Sequence, residues 1–252
     1  MPRSLAELPK GARITDFISL GVLAEKFPVQ RIHEILKETG RESERQRNLP
    51  AHVMVYYVIA LALYMEASYG EVLRCLVEGL DWLGINVKRI RRTAKSAISQ
   101  ARKRLGVEPL KRLYEEVVGP IARRETKGAW YKQWRLVTVD GSTLDLGDTR
   151  ENEAEFGRPG ASRGRSGFPQ LRFVSLVESG THVLFGAEAG SYATGESTLA
   201  HKVLDQLKEG MLCIADRNFY SYKLWKQAQK TGADLLWRVK KNMNLPCSIA
   251  PR

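Results

Sequence analysis

The segment LCIADRNFYSYKLW, residues 212–225, combines a strand, an acidic residue and a helix in one short stretch. Leu212 to Ala215 form an apolar run with the length of a buried strand, and Asp216 ends that run. An amphipathic pattern follows and indicates a helix over SYKLWKQAQKTG, residues 221–232. A buried strand followed by a crossover helix is typical of α/β layer folds, so this segment predicts one.

The sequence on both sides of this segment extends the same architecture. Runs rich in Val, Leu and Phe indicate further strands: RLVTVDGSTLDL (135–146), QLRFVSLVES (170–179), HVLFGAEAG (182–190) and ADLLWRVKKN (233–242). STLAHKVLDQL, residues 197–207, indicates a helix. The resulting order, β-β-β-α-β-α-β, predicts a mixed-sheet α/β domain over residues 130–243.

The preceding residues, 1–125, predict a helical N-terminal domain. VQRIHEILKETG, residues 29–40, has the apolar spacing of one helical face. The most apolar segment, VMVYYVIALALYM (53–65), is shorter than the roughly 18 residues needed to cross a bilayer, so it predicts a buried helix and no membrane association. Residues 244–252 predict a divergent tail that belongs to neither domain.

The charge of the chain is concentrated in one segment. The protein has 252 residues, with 40 Lys and Arg against 28 Asp and Glu and a net charge of +12. Residues 88–104 contain no acidic residue and eight basic ones: Lys88, Arg89, Arg91, Arg92, Lys95, Arg102, Lys103 and Arg104. Eight positive charges without acidic partners repel one another along a helix, which destabilises it. Contact with the phosphates of a nucleic acid would offset this repulsion. The segment therefore predicts DNA binding, with Ser99 as a possible base contact, although a solvated helix face is the alternative.

A second basic stretch lies in the loop FGRPGASRGRSGFPQ, residues 156–170. It contains Arg158, Arg163 and Arg165 and no acidic residue. Its glycines allow close approach to a nucleic-acid backbone, so the three arginines are candidate DNA contacts. A flexible linker is the alternative interpretation.

Two aspartates occupy matched positions. Asp140 follows LVTV and Asp216 follows LCIA, so each comes at the end of a short apolar run. Ligands of open α/β sheets bind at the carboxyl ends of strands, and two close carboxylates are stabilised by a divalent cation such as Mg²⁺. The alternative is that each Asp only caps a turn. Asp145 and Asp148 are interpreted as structural.

The sequence gives no sign of other common chemistries. It has no P-loop, GxGxxG or GxSxG motif, and its His and Cys residues lack the spacing of metal ligands. Nucleotide-binding folds and serine hydrolases are therefore not indicated.

The two aspartate motifs resemble those of a known family. VDGSTLDLGDTRENEAEFGRPG and LCIADRNFYSYKLW, with their aspartates 76 positions apart, are similar to the DDE transposases of the insertion-sequence-4 type. NLPAHVMVYYVIALALYMEASYGEVLRCLVEGL and SAISQARKRLG resemble that family's N-terminal domain, and the likeness covers residues 25–243.

This resemblance implies a fold, a site and a set of partners. It implies a ribonuclease-H-like core in which Asp140 and Asp216 are the first and second catalytic acids and bind two Mg²⁺ or Mn²⁺ ions. It further implies cleavage and joining of double-stranded DNA at transposon terminal repeats and target sites, with a possible homodimer on DNA and a cytoplasmic, nucleoid-associated location.

The sequence departs from the family pattern at the third acid. The family places a Glu in a Tyr-x2-Arg-x3-Glu-x6-Lys pattern after the last strand, but no Tyr here has Arg three positions later. No Asp or Glu follows Asp234. We therefore expect an incomplete, C-terminally truncated transposase that binds DNA and cleaves it weakly. Two alternatives are a non-catalytic DNA-binding remnant that occupies transposon ends or inhibits full-length subunits, and a ribonuclease-H-like nuclease of another kind.

Overall fold

The chain forms two compact units, residues 1–117 and residues 118–252. The computed structural model describes residue 23, residues 25–43, 48–64, 67–82, 95–160 and 167–243, and residue 245. Each unit has its own apolar core.

The first unit is helical, as its periodicity predicts. Its described helices are α1 (Val29–Glu38), α2 (Ala51–Leu63), α3 (Tyr69–Trp82), α4 (Lys95–Leu105) and α5 (Glu108–Val117). The apolar helix α2 is the centre of the core, with Tyr56 and Tyr57 fully buried. Their hydroxyls donate to the carbonyls of Phe27 and Tyr69, so neither phenol is left without a partner. Among the described residues, no helix is long and apolar enough to cross a membrane.

The second unit is an α/β layer, which confirms the predicted fold class. Its elements are β1 (Trp130–Tyr131), β2 (Trp134–Asp145), α6 (Arg150–Phe156), β3 (Gln170–Glu178), β4 (Leu184–Ser191), α7 (Glu196–Val203), a 3₁₀ turn (Leu204–Gln206), β5 (Met211–Ala215), α8 (Tyr222–Lys230) and β6 (Asp234–Trp237). The sheet order is β4-β3-β2-β5-β6, with β1 paired to the start of β2. β2, β3 and β4 are antiparallel neighbours, whereas β5 is parallel to β2 and to β6.

One face of this sheet carries the core. Val137 and Val139 of β2 and Cys213 and Ala215 of β5 alternate inward and are almost completely buried. They share a core with α7 and α8, for example with Leu224. β5 and β6 are each entered through a helix, which is the crossover that parallel strands require.

A buried carboxylate fixes the start of the second unit. The Glu178 side chain is fully buried and forms an ion pair with Arg135. It also accepts hydrogen bonds from the backbone amides of Ile121 and Ala122, at 3.0 and 2.9 Å, and from the Thr181 hydroxyl. Burial alone would raise the pKa of Glu178, but these donors outweigh burial and lower it.

Candidate active site

Asp140 and Asp216 lie at neighbouring positions of two adjacent parallel strands, Asp140 on β2 and Asp216 directly after β5. The β2–β5 register pairs Val139 with Ala215, so each aspartate follows one member of this pair. As the predicted strand over residues 135–146 implies, β2 continues beyond Asp140 to Asp145, because its pairing with β3 persists after its pairing with β5 has ended. Asp140 is therefore the first residue of β2 beyond the end of β5.

Both side chains are accessible, and neither caps a helix. Asp140 is exposed, and its Oδ1 accepts a hydrogen bond from the Gly141 amide at 2.9 Å. Asp216 is 53% exposed. The helix after Asp216 is capped by Ser221, whose hydroxyl accepts from the Leu224 amide at 3.2 Å. Asp216 is therefore not the residue that caps α8.

Arg238 is a neighbour that the sequence analysis missed. Its Nη1 lies 4.0 Å from Asp216 Oδ1, and its backbone amide donates to the Ala215 carbonyl at 3.0 Å. The guanidinium is 72% exposed, so this contact is a weak ion pair. Arg238 directly follows β6, which is the neighbour of β5 in the sheet. This position at the end of an apolar run is the sequence feature that could have indicated it.

Gly141 is packed against a second carboxylate that the sequence analysis also missed. A methyl group at Gly141 would lie 3.0 Å from Glu196 Cδ and 3.1 Å from Glu196 Oε1. Glu196 begins α7, where a negative charge is stabilised by the helix dipole. Because side chains alternate along β2, Asp140 and this contact lie on opposite faces of the strand.

The remaining predicted acids have structural partners. Asp145 accepts from Gln170 Nε2 at 2.7 Å, across the β2–β3 pair. Asp148 forms an ion pair with Arg158 at 2.5 Å. Within the described ranges, no group of three or more His, Cys, Asp or Glu side chains could hold a metal ion.

The two aspartates nevertheless suit a divalent cation in their donor chemistry. Hard carboxylate oxygens are the ligands of Mg²⁺, which commonly uses one or two of them together with water and substrate phosphates. Asp140 and Asp216 would hold such an ion, because they present accessible carboxylates from adjacent strands.

Part of the predicted basic surface lies on α4. Ile98, Ala101 and Leu105 are buried on its inner face. The outer face exposes four predicted DNA-contact residues: Ser99, Arg102, Lys103 and Arg104. Arg102 also lies over the Tyr69 ring, with its Cζ 5.8 Å from the ring centroid. Lys95 begins the helix, and the other predicted contacts fall outside the described residues: Lys88, Arg89, Arg91, Arg92, Arg163 and Arg165.

Arg158 requires a correction. The sequence makes Arg158 a candidate DNA contact, with a flexible linker as the alternative for its loop, but its side chain is only 9% exposed. Its guanidinium contacts Asp148 at 2.5 Å, Glu153 at 3.3 Å and the Gly167 carbonyl at 2.9 Å. These contacts connect the residues before α6, α6 itself and the residues after it, so Arg158 has a local structural role.

The mixed six-stranded sheet with its helices is consistent with a ribonuclease-H-like core of the DDE type. Two family models match the chain: the insertion element 4 transposase N-terminal model over residues 17–115 and the transposase DDE domain model over residues 132–246. The chain belongs to the DDE transposases of the insertion-sequence-4 type.

Two similar proteins come from Escherichia coli (strain K12). InsZ, which is named as a transposase, is 27% identical over 222 residues, covering 87% of this chain and 71% of InsZ. The transposase InsG for insertion sequence element IS4 is 27% identical over 217 residues, covering 86% of this chain and 48% of InsG. The chain therefore spans about half the length of InsG.

Proposed function

We propose that this chain acts on DNA as a transposase, binding transposon ends and cleaving and joining strands in a metal-dependent reaction. The observation that carries the proposal is the placement of Asp140 and Asp216 side by side at the end of β5. Two carboxylates at this place in an α/β sheet form a natural site for a divalent cation and a phosphodiester.

Asp140 and Asp216 would hold Mg²⁺ or Mn²⁺, and the family resemblance implies two ions. When bound, such ions activate the attacking oxygen and stabilise the leaving oxygen of an in-line displacement. The two aspartates act as fixed anionic ligands, and their exposed position leaves room for a DNA strand. Water is the expected first nucleophile and a DNA 3′-hydroxyl the second, without a covalent protein intermediate.

The DNA partner is expected to contact the outer face of α4. This face carries Arg102, Lys103 and Arg104 with Ser99, and the helix contains no acidic residue. Terminal repeats and target DNA are the proposed substrates, with a homodimer on DNA and a nucleoid-associated location. Such a cationic face supplies affinity that is independent of sequence.

A second candidate function is a DNA-binding protein that occupies transposon ends without cleaving them. The exposed basic face of α4 supports it, because phosphate contacts of this kind need no catalytic site.

A single assay separates the two functions. The purified chain is incubated with a duplex carrying its element's terminal repeat, with Mn²⁺ or with EDTA. We expect binding in both conditions and Mn²⁺-dependent nicking, which Asp140→Asn and Asp216→Asn abolish. Asp145→Asn is the matched control on the same strand, since Asp145 contacts Gln170.

The outcomes of this assay decide the assignment. Nicking that survives both Asp→Asn substitutions would refute the assigned site. Binding without any nicking in Mn²⁺ would favour the end-occupying protein.

A further inference from the structure

The hairpin formed by β1 and the start of β2 presents basic and aromatic side chains together. Two guanidinium groups lie over the Trp130 ring, with Arg124 Cζ 4.1 Å and Arg135 Cζ 4.7 Å from its centroid. Tyr131 stacks on Trp134 at 6.3 Å, and Lys132 Nζ lies 5.6 Å from the centre of the Tyr131 ring. We call this surface, residues 123–134, the hairpin platform.

Contacts with the rest of the second unit hold the side chains of the hairpin platform in place. Arg135, which stacks on Trp130, forms its ion pair with the buried Glu178. The indole nitrogen of Trp130 donates to the Arg123 carbonyl at 2.8 Å. The indole nitrogen of Trp134 donates to Asp234 at 2.5 Å, which ties the hairpin to the start of β6. A surface that is fixed before binding loses little conformational entropy when a ligand arrives.

The outward side of the platform is cationic. Four exposed basic side chains share this short segment: Arg123, Arg124, Lys127 and Lys132. Glu125 is the only acidic residue between positions 123 and 134. Among the residues that the structure describes, neither Lys127 nor Lys132 has a carboxylate partner within 4.0 Å, and the neighbouring Tyr131 is 53% exposed. Such a surface is complementary to a polyanion.

We propose that the hairpin platform is a second DNA-contact surface, which binds the phosphate backbone of the duplex held at Asp140 and Asp216. This inference rests on the proposed function and adds a place where the substrate is held. Trp134 and Asp140 lie six positions apart on β2, which corresponds to about 20 Å at 3.3 Å per residue. The same length spans roughly six base pairs of duplex DNA. A substrate that runs along β2 from the aspartates would therefore reach the platform.

The test compares DNA binding by two matched double variants. Lys127→Gln/Lys132→Asn removes two platform charges, and Asn suits position 132 because its φ is +53°. Lys26→Gln/Lys37→Gln removes two exposed charges from the helical unit. Affinity for a fluorescent duplex is measured by anisotropy between 50 and 200 mM KCl, and thermal unfolding checks that each variant is folded.

We expect the platform variant to bind about five- to tenfold more weakly at 50 mM KCl. The slope of log affinity against log salt should fall by about two, because each lost phosphate contact lowers it by about one. The control variant should keep the wild-type slope. If both variants lose the same affinity and slope, the platform proposal is wrong, because the loss would then depend only on the net charge of the chain.

Two further outcomes distinguish failure of the platform proposal from failure of the proposed transposase function. If the wild-type chain binds DNA and the platform variant binds it with the same affinity, the platform proposal is wrong and the transposase proposal is unaffected. A wild-type chain that binds no DNA overturns both. Light scattering is run in parallel, and loss of self-association in the platform variant with unchanged DNA affinity would assign the surface to a second copy of the chain.

Discussion

Gly180 is a single residue on which the packing of the second unit depends. It has φ +84° in the turn between β3 and β4, and a methyl group there would lie 2.7 Å from the Lys127 carbonyl oxygen and 2.8 Å from the Ala129 amide. Both neighbours are backbone and cannot move aside easily. We expect Gly180→Ala to lower the free energy of unfolding by about 3 kcal/mol, measured by urea denaturation.

Gly210 provides the control for this prediction. It has φ +81°, but a methyl group there would meet nothing within 4 Å. Gly210→Ala should therefore show only the cost of a positive φ, about 1 kcal/mol. Equal destabilisation by the two substitutions would contradict the close approach at Gly180.

His52 should make the stability of the helical unit depend on pH. Burial, and after it electrostatic repulsion from His33, whose ring centroid lies 4.7 Å away, lowers the pKa of His52 from its ordinary value of 6.5 to about 4. The unfolded chain therefore binds more protons between pH 6.5 and 4, so stability is full above pH 6.5 and falls as the pH drops toward 4.

The size of this effect is on the order of 2 kcal/mol. Denaturation curves between pH 7 and 4 should show the loss for the wild type and a flatter profile for His52→Gln. The exposed His182 supplies a control, since His182→Asn should keep the wild-type profile. A profile for His52→Gln that matches the wild type would contradict this assignment.

At this scale the sequence could identify the candidate acids but not their contacts. Asp216 was recognisable because it ends the apolar run from Leu212 to Ala215. Its proximity to Asp140 depends on which strands pair, and that contact joins positions 76 apart. The packing of Glu196 against Gly141 likewise arises from the placement of α7, so no local pattern could indicate it.

The helix α4 is the element whose role can be tested most directly. Its outer face carries Arg102, Lys103 and Arg104, while its inner face is buried. If this face contacts phosphates, the double variant Lys103→Gln/Arg104→Gln should lower the log-log salt slope of DNA binding by about two. Lys26→Gln/Lys37→Gln is again the control, and a slope unchanged from the wild type would make α4 a merely solvated helix.

Elements with strong periodicity were predictable, whereas short ones were not. The strands β2, β3, β4, β5 and β6 and the helices α7 and α8 match the predicted order. The two-residue strand β1 and the seven-residue helix α6 were missed because neither is long enough to show a period. α6 depends on local contacts, among them the Thr149 cap on the Asn152 amide at 3.2 Å.

At the scale of the whole molecule, the two units should respond differently to a divalent cation. Both proposed ligands, Asp140 and Asp216, belong to the second unit, and the first unit has its own separate core. A cation that binds only the folded site stabilises it by mass action, by about 2.7 kcal/mol at a concentration one hundred times the dissociation constant. This effect is independent of any catalytic activity.

Hydrogen exchange with and without Mn²⁺ can resolve the two units in the intact chain. We expect slower exchange for the amides of β2 and β5 and no change for those of α1 and α2. Asp140→Asn should remove the protection, whereas Asp145→Asn should keep it. Both substitutions alter β2, but Asp140 directly follows the Val139–Ala215 register pair, whereas Asp145 contacts Gln170. Protection that extends to the helical unit, or that survives Asp140→Asn, would place the cation elsewhere. Protection confined to β2 and β5 would show that the ion binds at the ends of these two strands, where Asp140 and Asp216 lie.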